Sequence, residues 1–588
     1  MKAGWNTGGR RWAGMVAVSL MLFMAACANQ AKLVSSNDPS SGMSEDSEAT
    51  LPFTLSGAYL AGRFGENHHD FDAASRYFTQ GLSMDPDATE LMQRSVLVLG
   101  AEGRIGDASA IAERLLLYDN DAAVGAVVIA TVRAKSGDWA GAERSFAAAP
   151  RNGLNKVVSP LVIAWARMGQ NHPDSALQAL APLKEDSRDR PLYALHAALI
   201  NDLAGRTQAA SQDYADLMTS GGGVLRAVQL AADFYQRNGE AGKAMTLMES
   251  YARAHPGAAR FEIEPGLHPV PDAKAGMAEA LFGVAGSLSQ GGAGDLALVF
   301  GRLALDLKPD FPLDQILVAD VLQQNGQLAK ANDVYQSIDP KAGIYWSAQL
   351  RMAANLDSMD KVDDAVRILN ALAAQHPDRP DALVGLGDLL RHHRRWSEAA
   401  SAYGRAIAAI GAPRQSDWSL FYERAMALDE AKQWGEAEAD LKKALELDPT
   451  QPEVLNYLGY SWIERNENMD EARGMIEKAV AERPTNGFIV DSLGWVYYRT
   501  GQYTKAVDVL ERAVELEPED AAINDHLGDA LWAVGRFDEA RFQWQRALVF
   551  QPEPDLKTTI EKKLKSGLPI PHVAGQASSA QMTGNRAE

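Results

Sequence analysis

A group of charged and aromatic side chains near the C-terminus has the types and spacing that could bind another protein. Four of them occupy positions i, i+4, i+7 and i+8 of one segment: Asp491, Trp495, Tyr498 and Arg499. On an α-helix this spacing places them on one side. Aromatic rings and arginine are the side chains that most often anchor protein interfaces. The alternative is that rings such as Trp495 and Tyr497 simply pack between neighbouring helices.

The motifs of common catalytic sites are missing from the sequence. It contains no GxSxG, GxxxxGK or HExxH segment, and its single cysteine, Cys27, lies near the N-terminus. The histidines of His68-His69 and His392-His393 could be imagined as metal ligands, but adjacent side chains on a helix point in different directions. We therefore predict a binding protein and not an enzyme, with no bound metal and no cofactor.

An alanine that recurs at a nearly constant spacing indicates the helices that must position these residues. Most steps between successive alanines of the series are 34 residues, with one jump of 53 after Ala244 and steps of 38 and 35 near the C-terminal end. The series is Ala74, Ala108, Ala142, Ala176, Ala210, Ala244, Ala297, Ala331, Ala365, Ala399, Ala437, Ala472, Ala506 and Ala540. A period of this length indicates an array of repeats and not a globular enzyme.

Other residues follow the same period. Leucine and glycine precede the alanine in three repeats, at Leu458-Gly459, Leu493-Gly494 and Leu527-Gly528. A proline follows twelve residues after the alanine, at Pro484, Pro518 and Pro552. The pattern resembles the tetratricopeptide repeat, a pair of antiparallel helices whose second helix contains the alanine and ends before the proline. The resemblance implies an all-α fold: a right-handed superhelical solenoid of about 14 helix-turn-helix repeats.

The resemblance also implies where a partner would bind. In tetratricopeptide arrays the first helix of every hairpin lines the concave side, and the register of the Leu-Gly pairs assigns residues of three repeats to that side. The predicted partner-binding groove consists of Asn456, Tyr460, Asp491, Trp495, Tyr498, Arg499, Asp525, Asp529 and Trp532.

The N-terminal segment is typical of a bacterial lipoprotein signal peptide. Lys2, Arg10 and Arg11 precede an almost wholly apolar stretch from residue 12 to residue 26, which is too short to span a bilayer comfortably. Met24-Ala25-Ala26-Cys27 resembles the lipobox, although the first residue is usually leucine, and this resemblance implies a lipid on Cys27. The alternative is an inert buried thiol. Ala28 is not the aspartate that retains enteric lipoproteins at the inner membrane, so the outer membrane is favoured.

The sequence divides into seven segments. Residues 1–26 form the signal peptide, 27–51 a lipidated flexible tether, and 52–256 an N-terminal repeat array. Residues 257–275 are an insertion with Pro265, Pro269 and Pro271, predicted as a surface loop between repeats or, alternatively, as a hinge or partner-contacting insertion between two solenoid segments. Residues 276–552 form a C-terminal array, 553–566 a capping helix, and 567–588 a disordered tail.

The charge of the chain limits its partners. The sequence has 57 basic and 77 acidic residues, a net charge of −20. Without residues 1–26, which carry three basic residues and no acidic ones, 54 basic residues remain against 77 acidic ones, a net charge of −23. Such a protein is repelled by nucleic acid and by anionic membrane surfaces, so we predict no nucleic-acid partner and a membrane contact made only by the lipid.

The C-terminal repeats resemble one group more closely. Leu458-Gly459-Tyr460, the segment 491–501 and His526-Leu527-Gly528 look like the last repeats of long tetratricopeptide lipoproteins of Gram-negative bacteria. That group includes an outer-membrane adaptor that brings cell-wall hydrolases to a carboxyl-terminal processing protease. The resemblance implies a lipid-anchored scaffold on the periplasmic face of the outer membrane that binds envelope proteins. An assembly factor for an outer-membrane or secretion complex is the first alternative, and an envelope enzyme is the second.

Overall fold

The protein is a string of helical hairpins. The structure, a computed structural model, describes residues 54–119, 121–147, 149, 152–219, 224–255 and 268–569. These residues form 29 α-helices and no strand, and the first 28 helices pair into 14 antiparallel hairpins. The predicted all-α fold and the predicted number of repeats are therefore confirmed. The signal peptide, Cys27 and the tether lie outside the described residues, as does the C-terminal tail from residue 570.

The chain divides into two compact units, which we call the N-terminal unit, described from residue 54 to 376, and the C-terminal unit, described from 377 to 569. The helices of the N-terminal unit are α1 (Leu55–Asn67), α2 (Phe71–Met84), α3 (Thr89–Glu102), α4 (Ile105–Leu115), α5 (Ala123–Ser136), α6 (Trp139–Arg144), α7 (Asn155–Gly169), α8 (Pro173–Glu185), α9 (Arg190–Leu203), α10 (Thr207–Thr219), α11 (Leu225–Arg237), α12 (Ala241–Ala254), α13 (Ala273–Gln290), α14 (Gly294–Leu307), α15 (Pro312–Gln324), α16 (Leu328–Gln336), α17 (Tyr345–Ser358) and α18 (Val362–Gln375).

The C-terminal unit continues the same pattern. Its helices are α19 (Asp381–His392), α20 (Trp396–Ile410), α21 (Trp418–Glu430), α22 (Trp434–Leu447), α23 (Pro452–Arg465), α24 (Met469–Glu482), α25 (Gly487–Arg499), α26 (Tyr503–Leu516), α27 (Ala521–Ala533), α28 (Phe537–Val549) and α29 (Pro554–Ser566).

The periodic alanines lie where the two helices of each hairpin approach most closely. All fourteen are on the second helix, and none is more than 5% exposed. The facing residue of the first helix is often glycine: a Cβ added at Gly459 would lie 2.9 Å from the carbonyl oxygen of Ala472. Larger side chains at either position would push the helices apart. The prolines act as predicted, since α24 and α26 each end two residues before Pro484 and Pro518.

In the N-terminal unit, one hairpin packs against the first helices of three other hairpins. The first helices α3, α5 and α7 lie side by side, and the hairpin α13–α14 packs across them. Gly276 of α13 meets the indole of Trp165, and Val299 of α14 meets Gly100. Polar contacts at this junction include Lys135 Nζ to Asp306 Oδ1 at 2.7 Å. The face of first helices that a tetratricopeptide array is expected to offer to partners is therefore occupied along these three helices.

This packing changes the predicted domain boundaries. The insertion is not the division between the units, because α13 and α14 follow it and still belong to the N-terminal unit, which extends to residue 376. The end of the insertion is also ordered against that unit: Val270 is buried, the carbonyl of Pro269 accepts a hydrogen bond from Lys308 Nζ at 2.7 Å, and α13 already begins at Ala273. Residues 257–267 lie outside the described chain.

None of the helices in the described ranges is long and apolar enough to cross a bilayer.

Candidate protein-binding site

Three of the nine predicted groove residues contact the last helix of their own unit or the residues that directly follow it. Lys563 of α29 binds both Asp525 and Asp529, with Nζ 2.7 Å from a carboxylate oxygen of each. The indole nitrogen of Trp532 donates to the carbonyl of Leu568 at 2.8 Å. These residues were predicted to face a partner, but α29 packs on the last hairpin and covers them.

The buried charges of this contact perturb one another. Burial and the Asp525 carboxylate together raise the pKa of Asp529 to about 6, although Lys563 opposes both effects. Burial lowers the pKa of Lys563, but the two carboxylates outweigh it and the pKa is raised. The contact is therefore an internal ionic link between α27 and α29.

Asn456 is also unavailable to a partner in this structure. Its side chain has no exposed surface, and neither of its amide atoms makes a hydrogen bond within the described part of the chain. It occupies the place in α23 that Asp491 holds in α25 and Asp525 in α27, and all three side chains are buried.

Trp495 packs between neighbouring hairpins, which is the alternative to partner binding that the sequence left open. It is 7% exposed, its ring stacks on Tyr498 and on His526 with centroids 4.8 and 4.1 Å away, and its indole nitrogen donates to Glu464 Oε1 at 2.7 Å. Arg499 donates to the same carboxylate oxygen at 3.0 Å. Both side chains therefore join α23 to α25, and Tyr498 and Arg499 remain only partly exposed.

Asp491 and His526 form a buried pair that links α25 to α27. His526 Nδ1 lies 2.9 Å from both carboxylate oxygens of Asp491. Burial alone would lower the pKa of His526, but the carboxylates of Asp491, Asp525 and Asp529 outweigh it and the pKa is raised. The imidazole is thus held in the protonated form over a wider pH range than a free histidine.

Asp491, His526 and Tyr460 line a cavity, which we call the acidic pocket. It has a volume of about 240 Å³ and lies where α23, α25 and α27 meet the segment that joins α28 to α29. Its lining residues are Tyr460, Phe488, Asp491, Ser492, Glu519, Asp520, Ala521, Ala522, Ile523, His526, Phe550, Gln551, Pro552, Glu553 and Leu556. Two of the nine predicted groove residues, Tyr460 and Asp491, are therefore brought together at an open cavity.

The pocket contains functional candidates that the prediction from sequence missed. Glu519 and Glu553 are exposed on its edge, and each follows a proline that ends a second helix, Pro518 or Pro552. The two Pro-Glu pairs are 34 residues apart, so the repeat period itself marks them. The signal was present in the sequence, but it lies in the connections and not on the helix faces that the prediction considered.

A second cavity lies inside the N-terminal unit. It has a volume of about 260 Å³ and includes Glu102, Arg104, Arg302 and Lys330 in its lining. Glu102 already pairs with Lys330 at 3.7 Å and with Arg104 at 3.9 Å. This cavity is a charged junction between α3 and the hairpins α13–α14 and α15–α16, and its one carboxylate already pairs within the same unit.

The histidine pairs make contacts within the chain. His69 Nδ1 lies 3.1 Å from Asp295 Oδ1, and the rings of His392 and His393 stack on each other. Across the described ranges, no group of three or more His, Cys, Asp or Glu side chains is arranged to hold a metal ion.

Comparison with known proteins identifies the repeat. Residues 350–414, 422–487 and 492–555 match the tetratricopeptide repeat family, about a third of the chain. This part of the chain is similar to tetratricopeptide repeats. A TPR repeat-containing protein of Pseudomonas aeruginosa, PA4667, is 28% identical over 185 residues, which cover 31% of this chain and 30% of that protein. The match thus spans less than a third of that relative.

The chain also resembles several solved structures. The anaphase-promoting-complex hetero-tetramer Cut9–Hcn1 covers 88% of this chain and 96% of its own, with 16% identity and a TM-score of 0.34. TTC0263, a tetratricopeptide protein of Thermus thermophilus, covers 32% of this chain and all of its own, with 22% identity and a TM-score of 0.28.

Proposed function

We propose that the protein is a non-enzymatic, lipid-anchored adaptor of the bacterial periplasm, which holds one or more envelope proteins near the outer membrane. Tetratricopeptide repeats generally bind other proteins, and the observation that carries this proposal is the acidic pocket. It is an open, charged and aromatic cavity on the C-terminal unit, whereas α13–α14 fills the corresponding helix face along α3, α5 and α7 of the N-terminal unit. Partner binding is therefore assigned to the C-terminal unit.

The nature of the partners follows from the resemblance described for the C-terminal repeats. An adaptor of this kind holds a protease and its substrates together, so that the encounter between them no longer depends on free diffusion. Without residues 1–26 the chain has a net charge of −23, which repels it from anionic lipid. Its principal contacts besides the anchor are therefore the docked proteins.

The lipid anchor rests on residues outside the described structure. A basic start, a short apolar segment and the single cysteine of the chain occur in the order that lipoprotein processing requires. Replacing Cys27 by serine keeps the size of the side chain and removes the thiol that accepts the lipid. The test is fractionation of cells that carry Cys27→Ser, with Ser35→Ala in the adjacent tether as the control.

We expect Cys27→Ser to move the protein from the outer-membrane fraction to the soluble periplasmic fraction, and Ser35→Ala to leave it in the membrane. Retention of Cys27→Ser in the membrane would refute the lipid anchor. Recovery of the unaltered protein in the inner membrane would refute the outer-membrane location.

The adaptor role is tested by chemical cross-linking in intact cells followed by identification of the cross-linked envelope proteins. We expect a small set of partners that is recovered with the unaltered protein and lost when the acidic pocket is altered. If the partners are subunits of an outer-membrane or secretion complex, the assembly-factor alternative holds. Reproducible turnover of cell-wall or peptide substrates by the purified protein would instead make it an enzyme.

A further inference from the structure

We propose that the acidic pocket binds a lysine or arginine side chain of the partner, next to an apolar residue that packs on the pocket's aromatic walls. The inference rests on the proposed adaptor function and specifies what its binding site recognises.

The size of the cavity suits one side chain. Pockets that enclose a cofactor or a drug-sized ligand usually measure about 300 to 1,000 Å³, and a water molecule takes about 30 Å³. At about 240 Å³ the acidic pocket is smaller than the first class and much larger than the second. A single long side chain that enters from a bound segment matches this volume.

The lining charges select a cation. Four carboxylates line the pocket, those of Asp491, Glu519, Asp520 and Glu553, and none of the described lining residues is a lysine or an arginine. The positive contributions are the His526 imidazolium and the N-termini of α27 and α29, each equivalent to about half a charge. About two negative charges therefore remain, so an acidic peptide or an anionic lipid surface is disfavoured.

The remaining charge lies on the two glutamates at the edge. Asp491 is engaged by His526, and Asp520 caps α27 by accepting a hydrogen bond from the Ile523 amide at 2.9 Å. Glu519 and Glu553 are both exposed and have no ion-pair partner among the described residues. These two carboxylates are available to a cation from outside.

A described cation close to Pro518 makes its contacts elsewhere. Arg546 of α28 donates to the carbonyl of Pro518 at 3.1 Å, and its guanidinium lies 5.8 Å from the centre of the Phe550 ring. It makes no ion pair with Glu519 in the described structure. Its position shows that Phe550 accepts a guanidinium on its face, which is the contact we expect a partner's cation to make inside the pocket.

The aromatic walls explain the apolar neighbour. Tyr460, Phe488 and Phe550 line the same cavity as the carboxylates. The methylene stem of lysine or arginine packs on such rings while the charged group reaches the edge, and an adjacent apolar residue extends the contact. A cation without an apolar stem, such as a metal ion, would leave these rings unused.

The test compares peptide selection on two forms of the full-length protein, both with Cys27→Ser so that they are soluble. One form keeps the pocket, and the other carries Glu519→Gln and Glu553→Gln, which remove the two available charges and keep the side-chain shape. Both positions are exposed, and Glu553 makes no capping hydrogen bond, so folding should be unaffected. A control form carries Asp508→Asn and Glu515→Gln on the exposed side of α26, which removes two charges away from the pocket.

The probe is a phage-displayed library of random peptides. We expect the enriched peptides to contain lysine or arginine beside an apolar residue, and a synthetic copy of one of them to bind the pocket variant about tenfold more weakly, which corresponds to a loss of about threefold for each exposed charge. Binding should weaken as salt is added, and the control form should bind like the unaltered pocket.

Enrichment of acidic or uncharged peptides, equal binding to both forms, or no enrichment at all would overturn the proposal. The proposed adaptor function is tested separately by cross-linking in cells. If envelope partners are cross-linked but the peptides lack a basic residue, only the ligand assignment fails. If no envelope partner is found, the adaptor function fails whatever the peptides show.

Discussion

Replacing Lys563 by methionine should destabilise the C-terminal unit strongly and in a pH-dependent manner. The substitution keeps most of the side chain's bulk but removes the ammonium group that both buried carboxylates, Asp525 and Asp529, contact. Removing one partner of a buried ion pair typically costs about 3 to 5 kcal/mol of the free energy of unfolding. We expect this loss at about pH 7.5, which lies above the pKa of Asp529.

The pH dependence follows from the pKa values of the cluster. The pKa of Asp529 rises from 3.8 to about 6 on folding, so the folded state holds the proton more tightly. The protonated Asp529 therefore adds to the free energy of unfolding below about pH 4, and this contribution is lost as the pH rises through about 6. The raised pKa of His526 acts in the same direction, because the stability from its protonated form is lost as the pH rises through its folded-state pKa.

Without Lys563, which lowers the pKa of Asp529, that pKa should rise further. Each additional pKa unit is worth about 1.4 kcal/mol, so the loss caused by Lys563→Met should shrink by about 1 to 3 kcal/mol at about pH 5. Urea unfolding followed by tryptophan fluorescence measures this, because Trp532 and Trp544 lie in the affected hairpin. The control is Lys562→Met, which removes an exposed charge from the same helix.

Two outcomes would refute this reasoning. If Lys563→Met and Lys562→Met destabilise the protein equally, the ionic link contributes nothing specific. If the loss caused by Lys563→Met grows between about pH 7.5 and about pH 5, burial of ionised carboxylates is not its cause.

Two further predictions concern the contact inside each hairpin, and urea unfolding measures both. Ala506→Leu forces extra methylenes into a fully buried site and should cost about 1 to 3 kcal/mol, whereas Ala481→Leu on an exposed surface should change stability by less than about 0.5 kcal/mol. Gly459→Ala places a Cβ 2.9 Å from a carbonyl oxygen and should destabilise by about 1 to 3 kcal/mol. Gly474→Ala, where a Cβ meets nothing within 4 Å, should stabilise by about 0.5 to 1 kcal/mol. Equal effects of the two glycine substitutions would show that close approach of the helices is not the reason for Gly459.

The fold could be predicted because its contacts are local in sequence. Ala506 packs within its own hairpin, and the contacts between hairpins join residues about one period apart, as in the hydrogen bond between Trp495 and Glu464. A period of 34 residues therefore carries nearly all the information that specifies the hairpins. The predicted number of repeats is correct for the same reason.

The packing of α13–α14 could not be predicted from the period, because it joins residues far apart in the chain. Gly276 meets Trp165, and Lys135 pairs with Asp306, across more than one hundred residues. Buried residues occur on every side of α14, and a helix buried in this way must be covered by several other helices. The period places such a helix in an array but says nothing about which other helices cover it.

The register of a repeat specifies a position and not its environment, so it cannot by itself predict which groove residues are accessible. Asp491 and Asp525 hold equivalent positions, yet Asp491 pairs with His526 and lines an open cavity, whereas Lys563 from beyond the last repeat covers Asp525. The next element of the chain therefore decides whether such a position can bind a partner. At the C-terminal end the connections Pro518-Glu519 and Pro552-Glu553 supply charge that no described residue of the array neutralises. A helical array satisfies its helix faces by stacking, so side chains in the connections between hairpins are the ones that stay available for recognition.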